Sequence, residues 1–68
     1  PEHFCRVIGS IVRELRQQGR SPTTTEVLHY LSMHTGFGTV DPPQFTKWYQ
    51  NAGFPRWRDF LRTVSPPP

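Results

Sequence analysis

The chain has 68 residues and carries 8 Lys+Arg against 5 Asp+Glu, for a formal net charge of +3. A chain of this length forms one domain that buries only about 60% of its unfolded surface; little apolar material is left for a deep substrate pocket, which argues against an enzyme. Cys5 is the only cysteine, so no disulfide forms within the chain, and no apolar run approaches the roughly 18 residues of a membrane span.

The first predicted element is an amphipathic helix. Phe4, Ile8, Ile11, Val12 and Leu15 recur at i, i+4, i+7, i+8 and i+11, one stripe of an α-helix. Arg6, Arg13, Arg16 and Arg20 gather on roughly the opposite side at about 100° per residue. Gly19 is placed to stop this helix. Gly9 is a weak point within it, costing about 1 kcal/mol against alanine.

The second helix is expected to begin within Ser21-Pro22-Thr23-Thr24-Thr25-Glu26, where Thr23 and Glu26 have the spacing of a capping box. Val27, Leu28 and Leu31 form its buried face, with Tyr30 beside them. Thr35-Gly36-Phe37-Gly38-Thr39 then breaks the pattern and reads as a loop, with a short extended piece through Thr39 and Val40. The third helix has Asp41 as its cap, Pro42 at the first helical position and Gln44 as the partner of Asp41 in a capping-box-like pair. Phe45, Trp48 and Tyr49 share one face of it, and Lys47, Gln50 and Asn51 the other. Gly53 ends it. The fourth helix is expected from Pro55 to about Val64, with Trp57, Phe60, Leu61 and Val64 inward and Arg58 and Arg62 outward, Arg56 nearby.

Four short helices that pool their apolar stripes make a mostly α, compact four-helix module of helix-turn-helix or winged-helix-like kind, with minimal or no sheet. The domain spans residues 1–65. Residues 66–68 are prolines that read as the start of a linker. With Pro1 at its head and no signal-peptide pattern, the sequence reads as a domain cut from a larger intracellular protein, cytoplasmic or nuclear.

No constellation for catalysis emerges. His3 and Cys5 lie near a free end without a third group to hold a base, and Cys5 reads as a partly buried helix residue. His29 and His34 lack the i, i+4 spacing of a helical metal pair, and no cysteine pair accompanies them. Gly36-Phe37-Gly38 does not stand between a strand and a helix, as a phosphate-cradling loop requires. No cofactor, metal or small-molecule substrate is implied.

Seven of the eight cations are arginine, whose planar fork matches phosphate bidentately and stacks on bases. They fall into three patches. The first is Arg13, Arg16 and Arg20 on the first helix. The second is Lys47 with Gln50 and Asn51, which suit phosphates and base or sugar edges. The third is Arg56, Arg58 and Arg62. Trp48 and Trp57 have the chemistry to stack bases, but their spacing with other apolar residues assigns them to the core. The residue pattern alone therefore points to a non-catalytic nucleic-acid-binding module. The alternative is a protein-interaction domain that docks a peptide or a helicase partner through an aromatic-lined surface, because nine Phe, Trp and Tyr exceed what so small a core readily buries. The arginines separate the two: one continuous face favours nucleic acid, dispersal into pairs with acids favours a protein partner.

Two resemblances bear on this choice. Trp48-Tyr49-Gln50-Asn51, within Gln44–Asn51, resembles the recognition helix of a homeodomain, in which an aromatic pair precedes Gln-Asn and the Asn reads adenine. A homeodomain helix continues into arginines, whereas this chain turns at Ala52-Gly53-Phe54-Pro55. More broadly, Gly53-Phe54-Pro55-Arg56-Trp57-Arg58-Asp59-Phe60-Leu61-Arg62-Thr63-Val64 resembles the closing segment of LOTUS domains, also called OST-HTH domains. There a Gly and an aromatic precede a short helix ending near Phe-Leu-Arg. That resemblance implies a small winged helix that binds RNA, including structured G-rich RNA. An extended subgroup of that family binds DEAD-box RNA helicases through an additional C-terminal helix. Here Val64 passes straight into Ser65 and prolines, so RNA is the partner implied ahead of DNA and ahead of a helicase.

Overall fold

The computed structural model describes residues 2–34 and 40–64. Four α-helices follow in order: α1 (Glu2–Gln17), α2 (Thr24–His34), α3 (Pro42–Asn51) and α4 (Trp57–Thr63). No strand occurs among the described residues, so the expected all-helical module is what the chain forms. The Cα radius of gyration is 11.2 Å, beside about 11 Å for a compact domain of this length. The expected extended piece lies outside the described residues at Thr39, and Val40 has no regular structure. The proline tail 66–68 also lies outside them.

Both helix-terminating glycines act as expected, and for a specific reason. Gly19 has φ 76° and Gly53 has φ 101°, the left-handed region where a Cβ is costly. At the first, the Gly19 N–H donates to Arg16 O at 3.0 Å and the Arg20 N–H to Leu15 O at 2.9 Å. At the second, the Gly53 N–H donates to Gln50 O and the Phe54 N–H to Tyr49 O, both at 3.0 Å. Each pair is a Schellman closure that satisfies the last carbonyls of its helix.

The helix starts depart from expectation in detail. The Thr23 hydroxyl accepts from the Glu26 N–H at 3.2 Å, which is one half of the capping box. The other half is replaced: the Thr23 N–H donates to Ser21 O, and the Glu26 carboxylate pairs with Arg20. Asp41 stands at the N-cap of α3 in extended geometry but makes no side-chain cap bond. Pro43 removes one of the two N–H groups that a cap side chain would satisfy, and the Asp41 carboxylate does not take the other, on Gln44. The fourth helix starts at Trp57, two residues later than expected, with Arg56 as an extended N-cap. The Arg56 N–H donates to the Asp59 carboxylate at 3.2 Å, and the Asp59 N–H returns to Arg56 O at 3.0 Å.

The core joins Ile8, Ile11, Val12 and Leu15 of α1 to Val27 and Leu31 of α2, Phe45 and Tyr49 of α3, and Phe60 and Val64 at α4. Its centre is aromatic. Phe60 meets Phe4, Phe54 and Trp57, each at a centroid distance of 5.2 Å, and Phe45 meets Trp57 at 5.4 Å. Trp57 is core-packed, as its spacing implied, and its indole N–H donates to Pro22 O at 2.9 Å. That bond ties α4 to the α1–α2 turn. No aromatic residue among those described is fully exposed; Phe37 lies outside them. Met33, 65% exposed, is the one large apolar side chain on the surface among the described residues.

Candidate nucleic-acid interface

The nine candidate contact residues divide by what already holds them. Arg16 is half-buried. Its guanidinium reaches across to the end of α4, donating to Val64 O at 2.9 Å and more distantly to Leu61 O at 3.5 Å. It caps that helix with a cation, where the dipole favours one. Arg20 pairs with Glu26 at 3.3 Å, with side chains 51% and 34% exposed. An ion pair so exposed contributes less than about 1 kcal/mol and leaves Arg20 able to exchange partners. The Gln50 amide donates to Pro55 O at 3.4 Å, closing the α3–α4 turn.

The others face outward. Arg13, Lys47, Asn51, Arg56, Arg58 and Arg62 are exposed. Arg20 is the one cation in an ion pair among the described residues. The remaining seven cations therefore have no acid partner there.

The first patch reaches the end of the helix that carries the third. Arg13 shares a cleft with Thr63 and Val64 at the end of α4, Arg16 is bonded to that same end, and Arg62 lies in its last turn. Arg13 and Arg16 of the first patch thus lie beside the C-terminal end of α4, whereas Arg56 and Arg58 of the third stand at its N-terminal end. Lys47 and Asn51 belong to another side of α3, and Asn51 borders a different hollow.

The cleft where α1 meets α4 has a volume of about 320 Å³. Cys5, Arg6, Gly9, Ser10 and Arg13 line it from α1 and Thr63 from α4. Gly9 is buried, yet a Cβ built on it meets nothing within 4 Å. The missing side chain is what keeps this space open. Arg6, Gly9 and Ser10 were absent from the candidate set, and the signal for them was in the sequence. Arg6 and Arg13 are two helical turns apart, with a glycine and a small hydroxyl residue between. Cys5, expected to be partly buried, is exposed.

A second hollow, about 350 Å³, lies on the other flank of α1, lined by Phe4, Val7, Leu31, Trp48 and Asn51 among others. It is apolar apart from His3 and Asn51. Among the described residues no group of three or more His, Cys, Asp and Glu is gathered. No described helix is long and apolar enough to cross a membrane. No protein-family model, curated protein or solved structure matches the chain. The two resemblances rest on the residues quoted for them. One further observation bears on the homeodomain-like stretch: α3 closes at Asn51 with the Gly53 turn.

Proposed function

We propose that this domain is a non-catalytic nucleic-acid-binding module, with RNA as its partner ahead of DNA. The observation that carries the reading is the disposition of charge. Seven of eight cations lack an acid partner among the described residues, and Arg6, Arg13 and Arg16 of α1 gather beside the end of α4. A cationic surface held for stability alone would draw on the five acids, and only Glu26 is so used among the described residues. Arg13, Arg56, Arg58, Arg62 and Lys47 contact phosphates in this reading, with Asn51 adding a polar contact and Arg20 recruited from its exposed pair. The LOTUS-like ending Gly53–Val64 supports RNA over DNA. An arginine-lined surface without exposed aromatics among the described residues suits backbone contact more than base stacking.

The apolar hollow beside Trp48 favours a second reading, a protein-interaction domain that docks a peptide there. The test is a titration of single-stranded RNA, duplex RNA, G-quadruplex RNA and single-stranded DNA at low salt. Binding of an RNA form in the micromolar range is expected. No binding tighter than millimolar to any of the four overturns the nucleic-acid reading.

A further inference from the structure

The cleft between α1 and α4 has a makeup that the general charge of the surface does not explain. Its floor is Gly9, buried in the fold and open above. Arg6 and Arg13 flank that floor one helical turn to either side, both exposed. Neither forms an ion pair among the described residues, although Glu2 and Glu14 share the same helix. An anion placed there lies beside the C-terminal end of α4, whose carbonyls would ordinarily repel it. In this molecule three of the carbonyls at that end are already engaged. Val64 O and Leu61 O accept from Arg16, Leu61 O also accepts from the Val64 N–H, and Phe60 O accepts from the Thr63 hydroxyl at 2.7 Å. Arg16 is therefore a positioning residue: it neutralises the helix end so that the neighbouring hollow suits negative charge.

Resting on the nucleic-acid reading, we infer that this cleft is the primary phosphate seat of the domain, taking a backbone phosphodiester of a single strand over Gly9 between the Arg6 and Arg13 guanidiniums. The choice of a strand backbone follows from shape and chemistry. About 320 Å³ is at the small end of ligand pockets, which run from about 300 Å³ upward, and admits one nucleotide unit at a time. Phe60 lines the cleft but is only 1% exposed, so no ring face is offered for a base. The base stays outside, and the seat reads charge and spacing without reading sequence. Glycine is needed because any longer side chain at position 9 would occupy the place of the phosphate.

The molecule carries its own reporter, since Cys5 is the sole cysteine, is exposed, and lines the cleft. The experiment measures Cys5 alkylation by the neutral reagent iodoacetamide in 0.15 M salt, with and without a short single-stranded oligouridylate whose affinity is followed by anisotropy. At this salt, exposed charges beyond about 8 Å are screened, so the thiol reports a strand that is close. At ligand concentrations ten times Kd the alkylation rate is expected to fall about tenfold, in proportion to the free fraction. Arg6→Gln with Arg13→Gln is expected to weaken binding by about tenfold or more and to remove the protection. Gly9→Leu, which keeps every charge, is expected to do the same, with its fold checked by circular dichroism. Arg58→Gln with Arg62→Gln removes two phosphate contacts outside the cleft; it is expected to weaken binding less than the Arg6 and Arg13 pair does and to leave Cys5 protected at saturation.

Binding with no change in Cys5 reactivity, or equal losses from the two arginine pairs, overturns the seat and leaves the nucleic-acid reading standing. No binding tighter than millimolar overturns both. Equal protection by inorganic phosphate, or by a phosphopeptide of matched charge at the same concentration, overturns the assignment to a nucleic-acid strand.

Discussion

The two hollows beside α1 are nearly equal in size, about 320 and 350 Å³, and opposite in chemistry. At about 100° per residue, Val7 and His3 lie on one flank of the helix, and Cys5, Gly9 and Arg16 on the other. The first flank faces Leu31 and Trp48 and makes an apolar hollow. The second faces the end of α4 and makes a hollow of arginines and hydroxyls. A single helix thus borders two hollows of different chemistry, and the α1 side chains that line each follow from angular position. The comparison also separates stability from recognition. Phe60 lies beneath the polar cleft and is buried, whereas Trp48 borders the apolar hollow and is half-buried.

The sharpest break in this comparison comes from truncating one aromatic side chain that lines each hollow. Phe60→Ala is expected to cost about 3–5 kcal/mol. A domain of this length has a total stability of about 3–10 kcal/mol, so the variant loses about a third or more of it and its urea midpoint falls sharply. Trp48→Ala, at a half-buried site, is expected to cost clearly less. Equal losses at the two positions would mean that the apolar hollow is core and not surface.

The next largest effect contrasts two glycines. Gly53→Ala places a Cβ at φ 101° and is expected to destabilise by about 1–2 kcal/mol. Gly9→Ala, helical and with open space around the new methyl, is expected to stabilise by about 0.5–1 kcal/mol. The same substitution therefore moves the thermal midpoint in opposite directions. A Gly9→Ala variant less stable than the parent would show that the cleft is filled in solution.

Smaller still is the contrast between arginines. Arg16→Met keeps the apolar stem and removes the bonds to the α4 carbonyls, at an expected cost of about 1 kcal/mol. Arg58→Gln, exposed and unpaired among the described residues, is expected to stay within about 0.5 kcal/mol of the parent. Chemical denaturation of the two variants tests this, and indistinguishable midpoints would remove the capping role of Arg16.

Much of the fold was legible in the sequence because its signals are local. The stripe Phe4, Ile8, Ile11, Val12, Leu15 fixes the face of α1, and Gly19 and Gly53 fix two helix ends by backbone geometry. The errors arise where local rules compete. Asp41 has the chemistry of a cap, but Pro43 removes one of the two donors it would serve and its side chain makes no cap bond. Glu26 has the spacing of a capping box, but Arg20 is within reach and takes its carboxylate. Less of the site was legible, since it depends on which residues of different helices meet. Nothing in the spacing of α1 says that Arg16 reaches Val64, 48 positions along the chain. Nor does it say that Gly9 opens a space there. Arg6 was visible on the arginine face, but its pairing with Arg13 across that space required the packing of α1 on α4.

The most direct measurement is the salt dependence of RNA affinity in the parent and in the two arginine pairs. For a single strand each phosphate contact contributes about 0.7 to the slope of log K against log salt. The expected result is a steep slope for the parent that falls by about 1.4 in the variant carrying Arg6→Gln and Arg13→Gln. A slope near zero for the parent, or binding that strengthens with salt, would contradict the reading of this domain as a phosphate-contacting module and would direct attention to the apolar hollow instead.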